Sequence, residues 1–290
     1  MTGSRRREPL VAAAFLMPYL ILFAVFVLTP VAYGFWISLH NWHILSAQAP
    51  FVGVKNYLGV VRDDRFWRSL MQTGYFVLLT VPAGNLLSLL MAVGLNQRIR
   101  GEAVYKVCFY MPVVTSVSVL AVTWRWLYAR DIGILNYYLG VPVDWLNDPK
   151  LVMPSLAMMS IWWGAGGNML IYLAALKAIP KEQLEAASLD GANSSQRFLK
   201  VSVPSITPAV LFCTVMSVIG ASQVFGQSYI LTGGGPADRS LTVSLYMYQM
   251  GFGQYQLGYA CAVAYLLFFF VFAFSAIQFR LMARAFVGSS

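Results

Sequence analysis

The stretch EAASLDGANSSQRFLKVSVP, residues 185–204, is a polar interruption between two long apolar runs. It collects acidic, basic, Gly and Pro residues in a chain of 290 residues in which only 11% are charged. The chain is 59% hydrophobic and its mean hydropathy is +0.65, whereas soluble domains are nearer half apolar and a quarter charged. The composition therefore indicates an integral membrane protein, and the stretch 185–204 must lie where that protein meets water.

The residues around this stretch predict two short amphipathic helices joined by a turn. Pro180 favours a helix start, because the N–H group that proline lacks is unpaired in the first turn of any helix. Gly191 is suited to end that helix in a left-handed conformation. Asn193 or Ser194 can cap the second helix. A pair of short helices of this kind suits docking into a groove of a partner protein.

Six segments are long and apolar enough to cross the hydrocarbon core, which takes about 20 residues of helix. They are residues 10–38, 70–95, 105–127, 152–176, 206–228 and 258–281. The first follows three arginines, but it is longer than the apolar part of a signal peptide, and it is interpreted as a retained span. The sequence thus predicts an all-α integral membrane fold of six helices. The loops 39–69, 128–151 and 229–257 are long and aromatic, and short ordered helices are expected in them.

The basic residues orient these six predicted spans. Twelve of the twenty lie on the side of the two termini and the loops 96–104 and 177–205, seven lie on the other side, and Arg125 lies at the outer end of the third span. Cytoplasmic loops carry the excess of Lys and Arg, so both termini and the 177–205 loop are predicted to be cytoplasmic. The net charge of +9 then reports topology, and no nucleic-acid partner is predicted. The three cysteines lie far apart in apolar runs, so no metal site is predicted.

The sequence has none of the common nucleotide or hydrolase motifs: no G-x-x-x-x-G-K-[ST], no H-E-x-x-H and no G-x-S-x-G. No Asp, Glu, Lys or Arg falls in the middle of a predicted span, although ion-coupled carriers usually need such groups. No catalytic residue and no bound cofactor are therefore predicted, and energy for uphill transport would come from another chain. Two alternatives remain, a self-contained secondary carrier for a polar solute and an integral membrane enzyme.

The stretch 185–204 resembles the EAA loop of binding-protein-dependent ABC importer permeases. The resemblance rests on Glu185-Ala186-Ala187, then Asp190-Gly191-Ala192, then Phe198, Pro204 and Pro208 at the family spacing. The segments YMPVVTSVSVLAVTWRWLYARDIGILNYYLG (110–140), IWWGAGGNMLIYLAALKAIP (161–180) and ILTGGGPADRSLTVSLYMYQMGF (230–252) are similar to carbohydrate-uptake permeases on the MalF/UgpA-like side of their heterodimer. Valines replace the family's usual Ile or Leu just before Pro204.

The resemblance implies a type I importer permease of the MetI-like fold. An N-terminal span and first outer loop (1–65) would precede the permease core (66–281) and a cytoplasmic tail (282–290). The loop residues Glu185, Ala186, Ala187, Asp190, Gly191 and Ala192 would couple the chain to an ATPase. The implied partners are a second permease subunit, two cytoplasmic ATPase subunits that bind ATP and Mg, and an extracytoplasmic solute-binding protein or lipoprotein. The implied place is the inner membrane of a bacterial or archaeal cell.

Polar and small residues of the fourth and fifth spans are the candidates for a solute path. A sugar-like solute needs hydrogen-bonding groups and flat apolar faces. The candidates are Ser160, Trp163, Gly164, Gly167 and Asn168 in the fourth span, and Ser217, Ala221 and Gln223 in the fifth. Small residues also let membrane helices pack closely, and Asn168 could instead bond a neighbouring helix. A di- or oligosaccharide, an amino sugar and a glycerophosphate ester all remain open as the solute.

Overall fold

The computed structural model describes the backbone of residues 8–46, 48–97 and 99–287, and the side chains of those among them that lie between residues 15 and 280. Within these residues the regular structure is helical and there is no strand. Two isolated β-bridges join His40 to Phe51 and His43 to Gln256. The predicted all-helical class is therefore confirmed.

The first half of the chain forms seven α-helices and one π-helical turn among the described residues. In chain order they are α1 (Glu8–Phe23), a π-helical turn (Ala24–Leu28), α2 (Thr29–Ser38), α3 (Lys55–Val61), α4 (Asp64–Leu95), α5 (Glu102–Val114), α6 (Val117–Leu127) and α7 (Ile134–Leu139). Those of the second half are α8 (Val152–Lys177), α9 (Lys181–Leu189), α10 (Ser194–Arg197), a second π-helical turn (Phe198–Ser202), α11 (Val203–Ser205), α12 (Thr207–Ser222), α13 (Gly226–Leu231), α14 (Val243–Tyr248), a third π-helical turn (Gln249–Gly253) and α15 (Leu257–Val287). The predicted short helices of the outer loops are α3, α7 and α14.

The chain forms two compact units, of which the first comprises Met1–Asp63 and Met247–Leu267. In this unit the Asn56 side-chain amide donates to the carbonyl oxygens of Ser38 (2.8 Å) and His40 (3.0 Å). Gly258 lies so close to His40 that a Cβ atom there would stand 2.0 Å from the His40 carbonyl oxygen. These contacts hold the start of the outer loop against the beginning of α15.

The second unit comprises Asp64–Tyr246 and Phe268–Ser290, and α4 and α8 form its centre. The Ser88 hydroxyl on α4 donates to the Ala165 carbonyl oxygen on α8 at 2.8 Å. Helix α5 approaches α8 at Gly166, where a Cβ atom would stand 2.1 Å from the Phe109 carbonyl oxygen. Helix α12 packs against α4 on another side. The fold thus brings polar and small positions of α4, α8 and α12 together.

Two apolar clusters stabilise this second unit. The Trp124 cluster consists of Phe76, Leu120, Ala121, Trp124, Tyr128, Met153, Leu156, Ala157, Met159, Val224 and Leu231. The Tyr172 cluster consists of Ala92, Leu95, Met169, Tyr172, Leu173, Leu176, Ile179, Ile206 and Cys213. The clusters occupy opposite ends of α8, because the former takes residues from its start and the latter from its end.

Three described helices are long and apolar enough to cross a membrane: Phe15–Ser38, Asp64–Leu95 and Leu257–Arg280. Two bent pairs raise this number to five if each pair forms one span: Glu102–Val114 with Val117–Leu127, and Ser194–Ser205 with Thr207–Ser222. Helix α8 has 26 residues, but its tryptophans, glycines and Asn168 lower its hydropathy, and it is not among these helices. The count of six spans therefore stays a prediction.

The third predicted span, 105–127, is not one straight helix, and this part of the prediction needs correction. Helices α5 and α6 meet at an angle of 99°. Thr115 between them is extended, and the Ser116 side chain accepts a hydrogen bond from the Val119 N–H and so caps α6. Pro112 cannot donate a backbone hydrogen bond inside α5, which weakens the helix just before the break. The fifth predicted span, 206–228, likewise ends its helix at Ser222.

Candidate functional site

The polar stretch folds as the two short helices that its sequence predicts. Pro180 directly precedes α9, one position before the predicted first turn, and Gly191 follows α9 with φ +79°, in the left-handed region. Asn193 caps α10 in a reciprocal arrangement: its side chain accepts from the Gln196 N–H, and the Gln196 side chain accepts from the Asn193 N–H, each at 2.9 Å. Two backbone donors at the start of α10 are thereby satisfied. The sequence left Asn193 and Ser194 open as the cap, and the structure selects Asn193.

The helix α9 turns one side inward and the other to solvent. Leu184 and Ala187 are half-buried, and Leu184 packs against the Tyr172 cluster. Leu189 is 89% exposed. Of the six predicted coupling residues, the exposed ones are Glu185, Ala186, Asp190 and Gly191, and the half-buried ones are Ala187 and Ala192. The loop therefore presents carboxylates and an apolar Leu to the outside while an apolar contact anchors it to the helices.

An ion-pair cluster lies at the helix end that leads into this loop. Glu102, the first residue of α5, pairs with Lys106 at 2.6 Å and with Lys177, the last residue of α8. All three side chains are between 31% and 45% exposed, so each pair contributes little to stability. The cluster nevertheless joins the start of α5 to the end of α8, four residues before α9 begins.

A cavity of about 450 Å³ opens between α4, α8, α12 and α13 of the second unit. Its walls combine aromatic rings, small residues, hydroxyl groups and side-chain amides. Seven of the eight residues predicted for the solute path line it, namely Ser160, Trp163, Gly164, Asn168, Ser217, Ala221 and Gln223. The eighth, Gly167, does not line it; a Cβ atom at this position would point towards α5 and meet the Val113 side chain at 3.9 Å. The fold brings the seven together; that they contact a solute stays a prediction.

Side chains of α4, α8 and α12 form a connected set of hydrogen bonds at the cavity wall. The Asn168 side-chain amide donates to Ser217 Oγ at 2.9 Å and to Asn85 Oδ1 at 3.2 Å. Asn85 Oδ1 also accepts from the Tyr172 hydroxyl at 2.6 Å, and the Asn85 amide donates to the Val81 carbonyl oxygen at 2.9 Å. Asn168 therefore lines the cavity and bonds neighbouring helices, while its contact with a solute stays a prediction.

Two further polar groups at the wall are the Gln227 side-chain amide and the Trp163 indole nitrogen. Gln227 Nε2 on α13 lies 3.4 Å from Ser160 Oγ, a long and weak hydrogen bond. The Trp163 indole nitrogen is buried, and no hydrogen-bond partner is found for it among the described residues. A solute hydroxyl that reached these groups would gain hydrogen bonds at little cost in existing ones.

The sequence analysis missed the contribution of α4 and α13 to the cavity. The missed polar residues are Thr80, Asn85, Ser88 and Gln227. A signal was present on α4, because Thr80, Gly84 and Ser88 recur every four residues and so share one helical face, with Asn85 beside it. No such spacing marks Gln227, since α13 has only six residues.

Two arginines hold α13 and the loop that follows it. The Arg125 guanidinium on α6 donates to the carbonyl oxygens of Ile230 and Leu231, the last residues of α13, and so satisfies groups that a helix end leaves unpaired. Beyond α13, Arg65 donates to both carboxylate oxygens of Asp238, with Nε at 2.9 Å and the second nitrogen at 3.0 Å, and lies over the Tyr246 ring. The hydrogen bond from Arg65 holds the pKa of Asp238 below its ordinary value.

The model of the family "binding-protein-dependent transport system inner membrane component" matches residues 57–284. The chain belongs to this family. Among its relatives, a probable ABC transporter permease, YesP of Bacillus subtilis, is 35% identical over 286 residues, which cover 96% of this chain and 92% of the relative. The trehalose/maltose transport system permease MalF of Thermococcus litoralis is 32% identical over 281 residues, 94% of each chain.

A solved structure shows the same fold. It is a bacterial ABC transporter involved in the import of the acidic polysaccharide alginate, and one of its chains matches with a TM-score of 0.83 and 21% identity over 97% of this chain and 96% of that one. The family, the permease relatives and the long apolar helices together identify the protein as a membrane-embedded permease of an ABC transporter. The residues that match the family model include the polar stretch and every residue of the cavity wall.

Proposed function

We propose that this permease forms half of the translocation path for a sugar or sugar-like solute in an ATP-driven, binding-protein-dependent importer. The observation behind the proposal is the cavity wall, where Asn85, Asn168, Ser217 and Ser160 place amide and hydroxyl groups beside the Trp163 ring. Sugars offer hydroxyl groups that exchange with such groups and apolar ring faces that stack on an indole. The name of the Thermococcus litoralis relative, a trehalose/maltose permease, supports this class of solute.

The polar loop is proposed as the contact with the ATPase subunits. Leu189 and Ala186 give α9 an exposed apolar knob, and Glu185 adds a carboxylate that would pair with a basic residue of the ATPase. Leu184 anchors the same helix to the Tyr172 cluster. Movement of an ATPase dimer would then be transmitted through α9 to the helices around the cavity. ATP and Mg would bind to the partner subunits, and this chain would have no catalytic residue.

We further propose six membrane spans with both termini in the cytoplasm, α8 being the fourth span. Helix α8 is surrounded by α4, α5 and α12, so its polar face meets protein and the cavity wall. A single cysteine at position 4, and in a second variant at position 289, tests the orientation when Cys108, Cys213 and Cys261 are replaced. Labelling of both only after the cell membrane is permeabilised agrees with the proposal, whereas labelling of either one in intact cells contradicts it.

The transport proposal is tested on the complex purified from its native membrane. The proteins that co-purify with the permease identify the second permease, the ATPase and the binding protein. The complex is reconstituted in vesicles with Mg-ATP and a set of labelled neutral sugars, amino sugars, glycerophosphate esters and amino acids. Uptake of a sugar that requires both ATP and the binding protein is expected. Uptake that persists with a catalytically inactive ATPase would favour the self-contained carrier, and uptake of amino acids alone would exclude a sugar path.

A further inference from the structure

Tyr172 connects the apolar Tyr172 cluster of the second unit to the hydrogen bonds at the cavity wall. Its ring belongs to the apolar Tyr172 cluster and is 1% exposed. Its hydroxyl contacts Cys213 at the edge of that cluster and donates to Asn85 Oδ1 at 2.6 Å, the shortest bond in the network at the cavity wall. Tyr172 itself is not a lining residue, whereas Asn85 is. One side chain therefore has its ring in the cluster and its polar end at the cavity.

The Tyr172 cluster continues to the polar loop. Ile179, a member of the cluster, lies two residues before α9, and Leu184 of α9 packs against the cluster from the other side. A close-packed apolar group of this kind transmits displacement, because side chains in it have few alternative arrangements. Any movement of α9 therefore shifts the surroundings of the Tyr172 ring.

At the cavity, Asn85 Oδ1 is a shared acceptor. It receives hydrogen bonds from Tyr172 and, at 3.2 Å, from Asn168, whose amide also reaches Ser217. A shift of the Tyr172 hydroxyl changes how strongly Asn85 Oδ1 holds Asn168, and so changes the direction in which the Asn168 amide points. The bonds are partly buried, and hydrogen bonds in a connected network of this kind respond together.

We propose that Tyr172 is a positioning residue that links the polar loop to the cavity: through Asn85 it sets the orientation of Asn168 according to the position of α9. The inference rests on the proposed function, since it assumes that α9 moves when ATP binds to a partner. It adds a specific joint, the hydrogen bond from Tyr172 to Asn85, between the loop and the solute path.

The test uses the complete complex, with a thiol reporter at the cavity. Cys108 and Cys261 are replaced, whereas Cys213 is kept, because it is fully buried and contacts the Tyr172 hydroxyl. Ala221, a lining residue on α12, becomes cysteine. The rate of its modification by a water-soluble methanethiosulfonate is measured without nucleotide and with ATP and vanadate. The parent complex is expected to show a change in rate of about fivefold or more between the two states, the usual lower range for coupled sites.

Tyr172→Phe removes only the hydroxyl, with its contacts to Asn85 and Cys213, and keeps the ring in the cluster. Asn85 Oδ1 keeps Asn168 as a donor, so we expect the fold to be retained. We expect the nucleotide-dependent rate ratio to fall towards one while the yield and thermal stability of the complex stay unchanged. Tyr128→Phe is the matched control, because Tyr128 is also buried and belongs to the other apolar cluster, the Trp124 cluster. Its hydroxyl donates at 2.7 Å to the Ser155 carbonyl oxygen. The control is expected to keep the parent ratio.

A double-mutant cycle adds a second readout. Asn85→Ala is expected to lower the rate ratio as Tyr172→Phe does, and the double variant to lower it no further, because both changes remove the same bond. A parent ratio in Tyr172→Phe, an equal loss in the Tyr128→Phe control, or additive effects in the double variant would each overturn the inference. Absence of any nucleotide effect in the parent would instead contradict the proposed ATP-driven function, and the inference would fall with it.

Discussion

Asn168 and Ser217 lie 49 residues apart in the chain, and the Asn168 amide donates to Ser217 Oγ at 2.9 Å. The bond joins α8 to α12 at the wall of the cavity, and both residues line that wall. A side-chain amide has two N–H donors and one oxygen acceptor, so a solute hydroxyl could replace one of these bonds without leaving a buried group unpaired. The same pair therefore stabilises the helix contact and faces the cavity.

Replacement of Asn168 is expected to weaken solute binding. Asn168→Ala removes the side-chain amide that would bond the solute. Loss of one hydrogen bond to the solute, about 0.5–1.5 kcal/mol, raises the KM of uptake about 2- to 10-fold. The measurement is initial uptake into vesicles that contain the reconstituted complex. Thr214→Val on α12 is the control, because Thr214 donates to the Val210 carbonyl oxygen within its own helix and does not line the cavity. Equal KM values for the parent and Asn168→Ala would contradict the assignment.

The close approach of α5 and α8 predicts a marked difference between two neighbouring glycines. Gly166→Ala would place a methyl group 2.1 Å from the Phe109 carbonyl oxygen, so the helices must separate, at a cost of about 1–3 kcal/mol. At Gly164 an added Cβ atom meets nothing within 4 Å. We expect Gly166→Ala to lower the thermal stability of the purified protein, and Gly164→Ala to leave it near the parent value. Equal stabilities would show that the helices are not packed as described.

Charge reversal in the polar loop is expected to abolish the stimulation of ATP hydrolysis by the solute. Glu185 is exposed on α9, so Glu185→Lys can fold and insert, but it repels the basic residue proposed on the ATPase. Solute-stimulated ATP hydrolysis should be lost while the amount of permease in the membrane is unchanged. Glu182→Lys makes the same charge change in the first turn of α9 and is expected to have a smaller effect. Full stimulated hydrolysis in an intact Glu185→Lys complex would exclude the coupling role.

The pair Arg65 and Asp238 predicts a pH-dependent contribution to stability. Because its pKa in the folded protein is lowered, the Asp238 carboxylate stabilises the fold fully above the ordinary aspartate pKa of about 4, and this contribution is lost as the pH falls through the lower folded value. Asp238→Asn should therefore lower the melting temperature of the purified protein at pH 5–8, and the difference should shrink below about pH 4. Asp131→Asn, a change at an exposed carboxylate, is the control. A difference that stays constant down to the lowest pH would contradict this origin.

Local patterns in the sequence were sufficient to predict the two short helices of the polar loop and the turn between them. Pro180, Gly191 and Asn193 act on backbone groups within four residues of themselves, so their effect does not depend on the rest of the fold. Composition was sufficient for the membrane class for a similar reason, since long apolar runs need no tertiary partner to be recognised. The break between α5 and α6 was missed, because Pro112 alone does not predict whether a membrane helix bends or continues.

By itself, then, the sequence determined a helical membrane protein with a two-helix polar loop, and it supplied the residues proposed for a solute path. Only the tertiary structure decided which of those residues meet. Asn85 reaches Asn168 and Tyr172 across more than eighty residues, Arg65 reaches Asp238 across 173, and Gly167 faces α5 although its neighbour Asn168 lines the cavity. The reason is that a helix position fixes a side chain's direction only relative to its own axis. Which neighbour it meets depends on how each helix is rotated and packed, and distant segments set that together.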